Sequence, residues 1–176
     1  MFDLNFIAFA INDEKKGLNY EDFLIPFTFF ALLHNENSHV EIIVLNPDNF
    51  KQKYKKELEL INNINNNYLI RKPQYQLNKH IPNTYRFFEV PTVKSTYTYI
   101  TDIDIMYLEN ILPKYLDTWS QIHLPYHNIL RSPVSNRLTG VMMVKNEKYY
   151  TSAFKKCQKK YYNNFDPGSK NDEVIL

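Results

Sequence analysis

The stretch Tyr97-Thr98-Tyr99-Ile100-Thr101-Asp102-Ile103-Asp104 decides how this chain is read. Five aromatic and β-branched residues run straight into two carboxylates separated by one isoleucine. Such a run favours a strand, and in a strand that continues, residues i and i+2 face the same way. Asp102 and Asp104 are therefore expected to converge. Two carboxylates held close repel each other, and a hard divalent cation relieves that cost. Magnesium or manganese takes one or two carboxylates and completes its shell with phosphate oxygens and water. Ile100, Ile103, Ile105 and Met106 flank the pair, so the strand carries it to the margin of a core. Asp-x-Asp alone is common in solvated turns; this setting is what raises it to an expected metal site. In open α/β sheets, ligands bind beyond the carboxyl ends of the strands, where this pair should lie.

Upstream, residues 5–11 form a short apolar run broken by Asn12-Asp13-Glu14, which predicts a buried first strand with a polar loop at its end. Phe23, Phe27, Phe30, Ala31 and Leu33 have helical spacing. Pro26 is placed to open that helix, with 13–25 as a loop. Residues 40–45 predict a second strand. Phe50, Tyr54, Leu58 and Ile61 then form one apolar helix stripe with Lys and Glu on the other side. An Asn-rich turn leads to a third strand over 68–71, and a polar segment over 72–84 reads as a loop. Downstream, a short helix interrupted by Pro113 is expected within 109–119, and a strand over 137–144. Asn146 is placed to cap a last helix burying Tyr149, Ala153, Phe154, Cys157 and Tyr161. Strand and helix alternate throughout, which predicts a single α/β domain over 1–176 with a largely parallel sheet flanked by helices. The end of the chain, Asn171-Asp172-Glu173-Val174-Ile175-Leu176, reads as the cap and first turn of a helix, so truncation at the carboxyl end is expected.

Composition narrows the class. The 176 residues suit one domain with a sizeable core. A net charge of +2 makes no whole-molecule field for a polyanion, and the basic runs 51–56 and 155–160 read as solvated helix faces. Nucleic acid is thus not an expected partner. One cysteine excludes an internal disulfide framework and suits a reducing compartment. The sequence opens without a basic, apolar leader, and no run approaches the ~20 apolar residues of a spanning helix. A cytoplasmic protein, with peripheral membrane contact allowed, is the expectation.

The run Tyr85-Arg86-Phe87-Phe88-Glu89-Val90-Pro91, followed by the strand that ends in Asp102-Ile103-Asp104, resembles the family 8-like glycosyltransferases of the GT-A fold. Three further stretches are similar in the same order: Phe9-Ala10-Ile11-Asn12, where the first strand meets the nucleotide; Leu138-Thr139-Gly140-Val141-Met142-Met143-Val144, the strand after the metal site; and the acidic turn at 171–173. The resemblance covers nearly the whole chain. It implies a Rossmann-like sheet, a Mn2+ or Mg2+ cofactor on Asp102 and Asp104, a nucleoside-diphosphate sugar donor (UDP first), and a glycan or lipid-linked acceptor. It also implies that Ala10, Ile11, Asn12 and Tyr20 meet the base, and that Asp102 lies near the ribose or sugar. Arg86 would face phosphate or pair with a donor-sugar contact residue, and Gly140 would let the sugar approach the backbone. Asp172 and Glu173 are then the catalytic candidates, orienting acceptor or donor hydroxyls.

Family members also supply a late histidine within a Gly, Lys, Pro and Trp motif that this sequence lacks; His123 and His127 read as loop histidines. Plainer readings stand beside these roles: Tyr20 as packing, Arg86 as a structural ion pair, Gly140 as a strand bulge, and Asp172 as a favourable charge at a helix start. Two competing functions remain. One is a GT-A-like domain that binds nucleotide without turnover. The other is a haloacid dehalogenase-type phosphatase, disfavoured because Asp-x-Asp there lies near the amino terminus.

Overall fold

The computed structural model describes residues 1–10, 19–74, 83–119, 121, 123–130 and 138–163. Its centre is β1 (Phe2–Phe9), buried on both faces from Leu4 onward, as expected of a strand enclosed between two layers. α1 (Glu21–His34) leads from it to β2 (Ser38–Ile43), all six residues of which are buried. α2 (Pro47–Lys53) and α3 (Lys55–Ile64) follow, then β3 (Tyr68–Arg71). A 3-10 helix (Asn83–Phe88) precedes β4 (Ser95–Ile100). After α4 (Leu112–Trp119) come β5 (Tyr126–Leu130), β6 (Leu138–Lys145), α5 (Asn146–Tyr149) and α6 (Ser152–Asn163).

The sheet order is β3-β2-β1-β4-β6-β5, with β3, β2, β1 and β4 parallel and β6 antiparallel to both β4 and β5. From β1 the chain winds outward to β3 and then returns to β1's other side for β4. Strand order therefore reverses between β1 and β4, which opens a crevice at their carboxyl ends.

Alternation along each strand builds two cores. Leu4, Phe6, Ala8, Val40, Ile42, Tyr99 and Met143 face the layer holding α1, α3 and α4. Phe6 meets Phe27, Tyr99 and Tyr107 with ring centroids 5.3–6.0 Å apart, pairs worth about 0.5–1.5 kcal/mol each beyond area burial. Ile7, Phe9, Ile43, Ile100, Met142 and Val144 face the opposite layer, where Tyr85 and Phe87 of the 3-10 helix cover them. Among the described residues, the return from β3 to β4 includes the 3-10 helix, which packs against this face of the sheet.

Several elements differ from the sequence expectation. α1 starts at Glu21, so Pro26 lies inside it and 21–25 are helical. The carbonyl that Pro26 cannot serve belongs to Asp22, an exposed residue that water can reach. The Phe50–Ile61 stripe is buried as expected, but Tyr54 (φ −106°, ψ 27°) divides it between two helices. Pro113 sits in the first turn of α4, where a missing N–H costs nothing, so it begins the helix instead of interrupting it. β5 was unforeseen, and it places His127 on a strand. On α6, Ala153 and Cys157 are exposed, Phe154 is half-buried and Gln158 is buried, while the Tyr161 side chain lies outside what is described.

Candidate functional site

β4 ends at Ile100, and its register with β6 (Ile100 opposite Met142), carried two residues on, sets Asp102 opposite Gly140. Arg86 reaches this spot from the 3-10 helix. Its Nη2 lies 2.8 Å from Asp102 Oδ1 and donates to the Gly140 carbonyl at 3.3 Å. Phe87, beneath, presents its ring face 5.0 Å from the guanidinium carbon. The Arg86 side chain is 5% exposed, whereas Asp102 keeps 39% of its side chain in solvent. A buried guanidinium thus steadies a carboxylate that is partly exposed to solvent.

At Gly140 the absence of a side chain leaves room that Arg86 and Asp102 fill. A Cβ built on it would lie 2.3 Å from Arg86 Nη2 and 2.7 Å from Asp102 Oδ2, closer than real contacts allow. Where a donor sugar was expected against the backbone, Arg86 and Asp102 occupy the space over Gly140.

The strand does not continue through the motif. Ile103 and Asp104 form a turn, with Ile103 buried and Asp104 exposed. Asp102 and Asp104 are nevertheless the two solvent-facing positions, separated by the anchored Ile103. Among the described residues no group of three or more His, Cys, Asp or Glu side chains is placed to share a cation. Two hard carboxylates still fit Mg2+ or Mn2+, which commonly keep water and phosphate oxygens as their remaining ligands.

Ala10 is buried, and its amide donates to the Ile43 carbonyl at 3.1 Å, extending the ladder past β1. Tyr20 stands before α1, half-buried, its ring tilted against Phe23 at 6.2 Å. A helix joining two parallel strands starts at their carboxyl ends, so Tyr20 shares that end of the sheet with Asp102. Ile11, Asn12, Asp172 and Glu173 lie outside the described residues.

Beside Tyr20 is a cluster that sequence reasoning passed over. Tyr54 hydroxyl donates to Asp22 Oδ1, and Lys53 Nζ lies 2.7 Å from the Tyr54 oxygen and 3.1 Å from Asp22. The Tyr54 hydrogen bond holds the Asp22 carboxyl below its usual range and raises Lys53, while burial raises Tyr54 itself. Read on a helical wheel, Lys53 was only one more solvated lysine.

His127 lies on β5, opposite Met143 of β6. Its ring lies edge-on to Tyr115 at 5.1 Å, and burial lowers its pKa. It packs as part of an aromatic cluster, not as a loop histidine.

No protein-family model and no curated protein sequence matches this chain. Solved structures do. The glycosyltransferase GlyE of Streptococcus pneumoniae TIGR4 superposes with a TM-score of 0.59 at 14% identity, covering 99% of this chain and 42% of GlyE. The mannosyltransferase PcManGT of Pyrobaculum calidifontis, in complex with GDP-Man and Mn2+, gives 0.55 at 10% identity over 97% and 49%. Residues 1–349 of S. aureus TarS give 0.52 at 12% identity over 99% and 54%. The chain therefore spans roughly half the length of these structures or less. At such identities the likeness establishes the architecture, a GT-A-type α/β fold with a mostly parallel six-stranded sheet flanked by helices.

Proposed function

We propose that this chain is the nucleotide-sugar-binding domain of a metal-dependent glycosyltransferase, moving a sugar from a nucleoside diphosphate, UDP first, to a glycan or lipid-linked acceptor. The observation that carries the reading is the Arg86–Asp102–Gly140 arrangement at the reversal of strand order. Its architecture is shared with glycosyltransferases, one of them holding GDP-Man and Mn2+.

In this reading Asp102 and Asp104 hold the cation, and Arg86 fixes the Asp102 carboxylate while adding positive charge beside the diphosphate. When bound, the metal neutralises charge on the departing nucleoside diphosphate. The bond between the anomeric carbon and the phosphate oxygen breaks, and its electron pair leaves with the diphosphate. The acceptor hydroxyl bonds to that carbon, and its proton passes to an oxygen of the departing diphosphate. Ala10, Ile11, Asn12 and Tyr20 are the base-side candidates. Gly140 acts by leaving room for Arg86 and Asp102, and Asp172 and Glu173 are assigned to orient the sugar and acceptor hydroxyls.

The test is calorimetry with UDP, GDP and CMP, with and without manganese, on the wild type and Asp104→Ala. Manganese-dependent binding of a nucleoside diphosphate that weakens in Asp104→Ala is the expected result. Absence of nucleotide binding, or indifference to metal and to Asp104, overturns the reading. Binding without sugar transfer would instead mark a binding domain.

A further inference from the structure

A second buried ionic cluster lies three residues from Arg86. Glu89, fully buried, accepts from Arg71 Nη1 at 2.7 Å and from the Gln74 amide at 3.0 Å. The Gln74 side chain closes the same junction, donating to the Val90 carbonyl at 2.6 Å and accepting from the Val90 amide at 3.1 Å. Arg71 Nε lies 2.6 Å from Glu41 Oε2 on β2, and Glu41 in turn receives the Thr92 and Val93 amides at 2.8 and 3.2 Å. The segment after the 3-10 helix is therefore stitched to β2, to the end of β3 and to Gln74. Phe88, between Arg86 and Glu89, gives its carbonyl to Gln158 of α6.

These bonds fix the base of the short helix that carries Arg86. Glu89 is the first residue after the 3-10 helix, three positions on from Arg86, so the anchor holds the helix at its carboxyl end. Arg86 must meet Asp102 and Gly140 within tenths of an ångström, so a shift of the anchor passes to the guanidinium. Stability alone does not explain the anchor, since a buried ion pair holds a fold no better than apolar packing of similar volume.

We propose that Glu89, acting through Arg71 and the Gln74 amide, is a positioning residue for Arg86, and so for the diphosphate end of the donor site. The donor-site part rests on the function proposed above; the placement of Arg86 does not. The experiment therefore has two arms. In ligand-free protein, the Nε–H resonance of Arg86, identified by its loss in Arg86→Lys, is followed in Glu89→Ala, Glu89→Gln and Gln74→Ala, with exposed Glu36→Ala as control. It shifts or broadens in Glu89→Ala and Gln74→Ala, stays closer to wild type in Glu89→Gln, which keeps an acceptor oxygen, and is unchanged in the control. In the second arm, UDP affinity with manganese falls about tenfold in Glu89→Ala, the scale of losing a group that orients a ligand-binding side chain. In an Arg86→Ala background the same change has no further effect.

An unmoved Arg86 resonance in folded Glu89→Ala overturns the proposal. So does an equal affinity loss with and without Arg86. Should Glu89→Ala fail to fold, Arg71→Lys, which keeps the charge but whose single ammonium cannot replace both the Glu41 and the Glu89 bonds, decides by the same criteria. If wild type binds no nucleotide while the resonance moves as described, the donor-site reading falls and the positioning of Arg86 stands.

Discussion

Two arginines under one face of the same sheet have opposite surroundings. Arg71, with 11% of its side chain exposed, is held between Glu41 and Glu89, both fully buried. Arg86 is buried more deeply, yet the carboxylate it holds, Asp102, remains 39% exposed. The first is a closed clasp whose acids are committed to one guanidinium and to backbone amides. In the second, the base is sunk into the protein and the acid is presented to solvent, the arrangement required of a ligand-binding carboxylate. Burial of the acid, more than the presence of an ion pair, separates the structural cluster from the candidate site.

Four measurements break or sharpen this contrast. Glu41→Ala removes an acceptor of five hydrogen bonds and leaves Arg71 and Asn5 short of a partner. A loss of about 3–5 kcal/mol is expected in urea denaturation. A loss below 1 kcal/mol would mean that the clasp is not a closed structural unit. Gly140→Ala forces a methyl group against Arg86 and Asp102, with a cost of about 1–3 kcal/mol and, in calorimetry, loss of nucleotide binding. Unchanged binding would show that the Arg86–Asp102 contact has no part in the site. Asp102→Asn keeps the shape and an acceptor oxygen for Arg86, so about 1 kcal/mol of stability is expected to go, together with the manganese dependence of nucleotide affinity. A stability loss as large as that of Glu41→Ala would erase the contrast.

The smallest effect is on pH dependence. Burial, opposed in part by Arg71, raises the Glu89 carboxyl above its ordinary 4.5. The folded state then holds its proton to higher pH than the unfolded chain, so ionising Glu89 costs stability above the raised value. That cost disappears as pH falls below 4.5. Glu89→Gln lacks this titration. Its stability relative to wild type should rise from acid to neutral pH through that window. A flat difference in paired denaturation curves would count against a desolvated Glu89.

The two clusters were not equally legible. Asp102 and Arg86 stand in a local pattern, a strand running into Asp-x-Asp with an arginine element before it, and that order made each a candidate, while their ion pair is seen only in the fold. The clasp joins residues 18 to 52 positions apart, and no periodicity links them. One signal was present: Glu41 interrupts the apolar run 40–45, where a fully buried parallel strand has no solvent face to give it. A charge at such a position needs a partner, although the sequence cannot say which. β1 and β2 were visible because buried parallel strands are largely apolar runs, and β4 because its residues are aromatic and β-branched. β5 was not, because Pro125, two histidines and a tyrosine read as loop, and its place comes from pairing with β6. Pro26 misled for a related reason: the start of α1 is set by packing from Leu24 onward, and local preference is the weaker force.

The aromatic cluster beneath α4 makes the protein its own optical probe. The single tryptophan, Trp119, donates its indole N–H to the Leu124 carbonyl at 2.8 Å and lies 5.6 Å from the Tyr97 ring and 6.4 Å from His127. Light absorbed by neighbouring tyrosines can pass to one emitter seated where α4, β4 and β5 meet. Its wavelength and yield therefore report whether that corner, which carries the chain away from Asp104, is closed or open to water, and no label has to be attached.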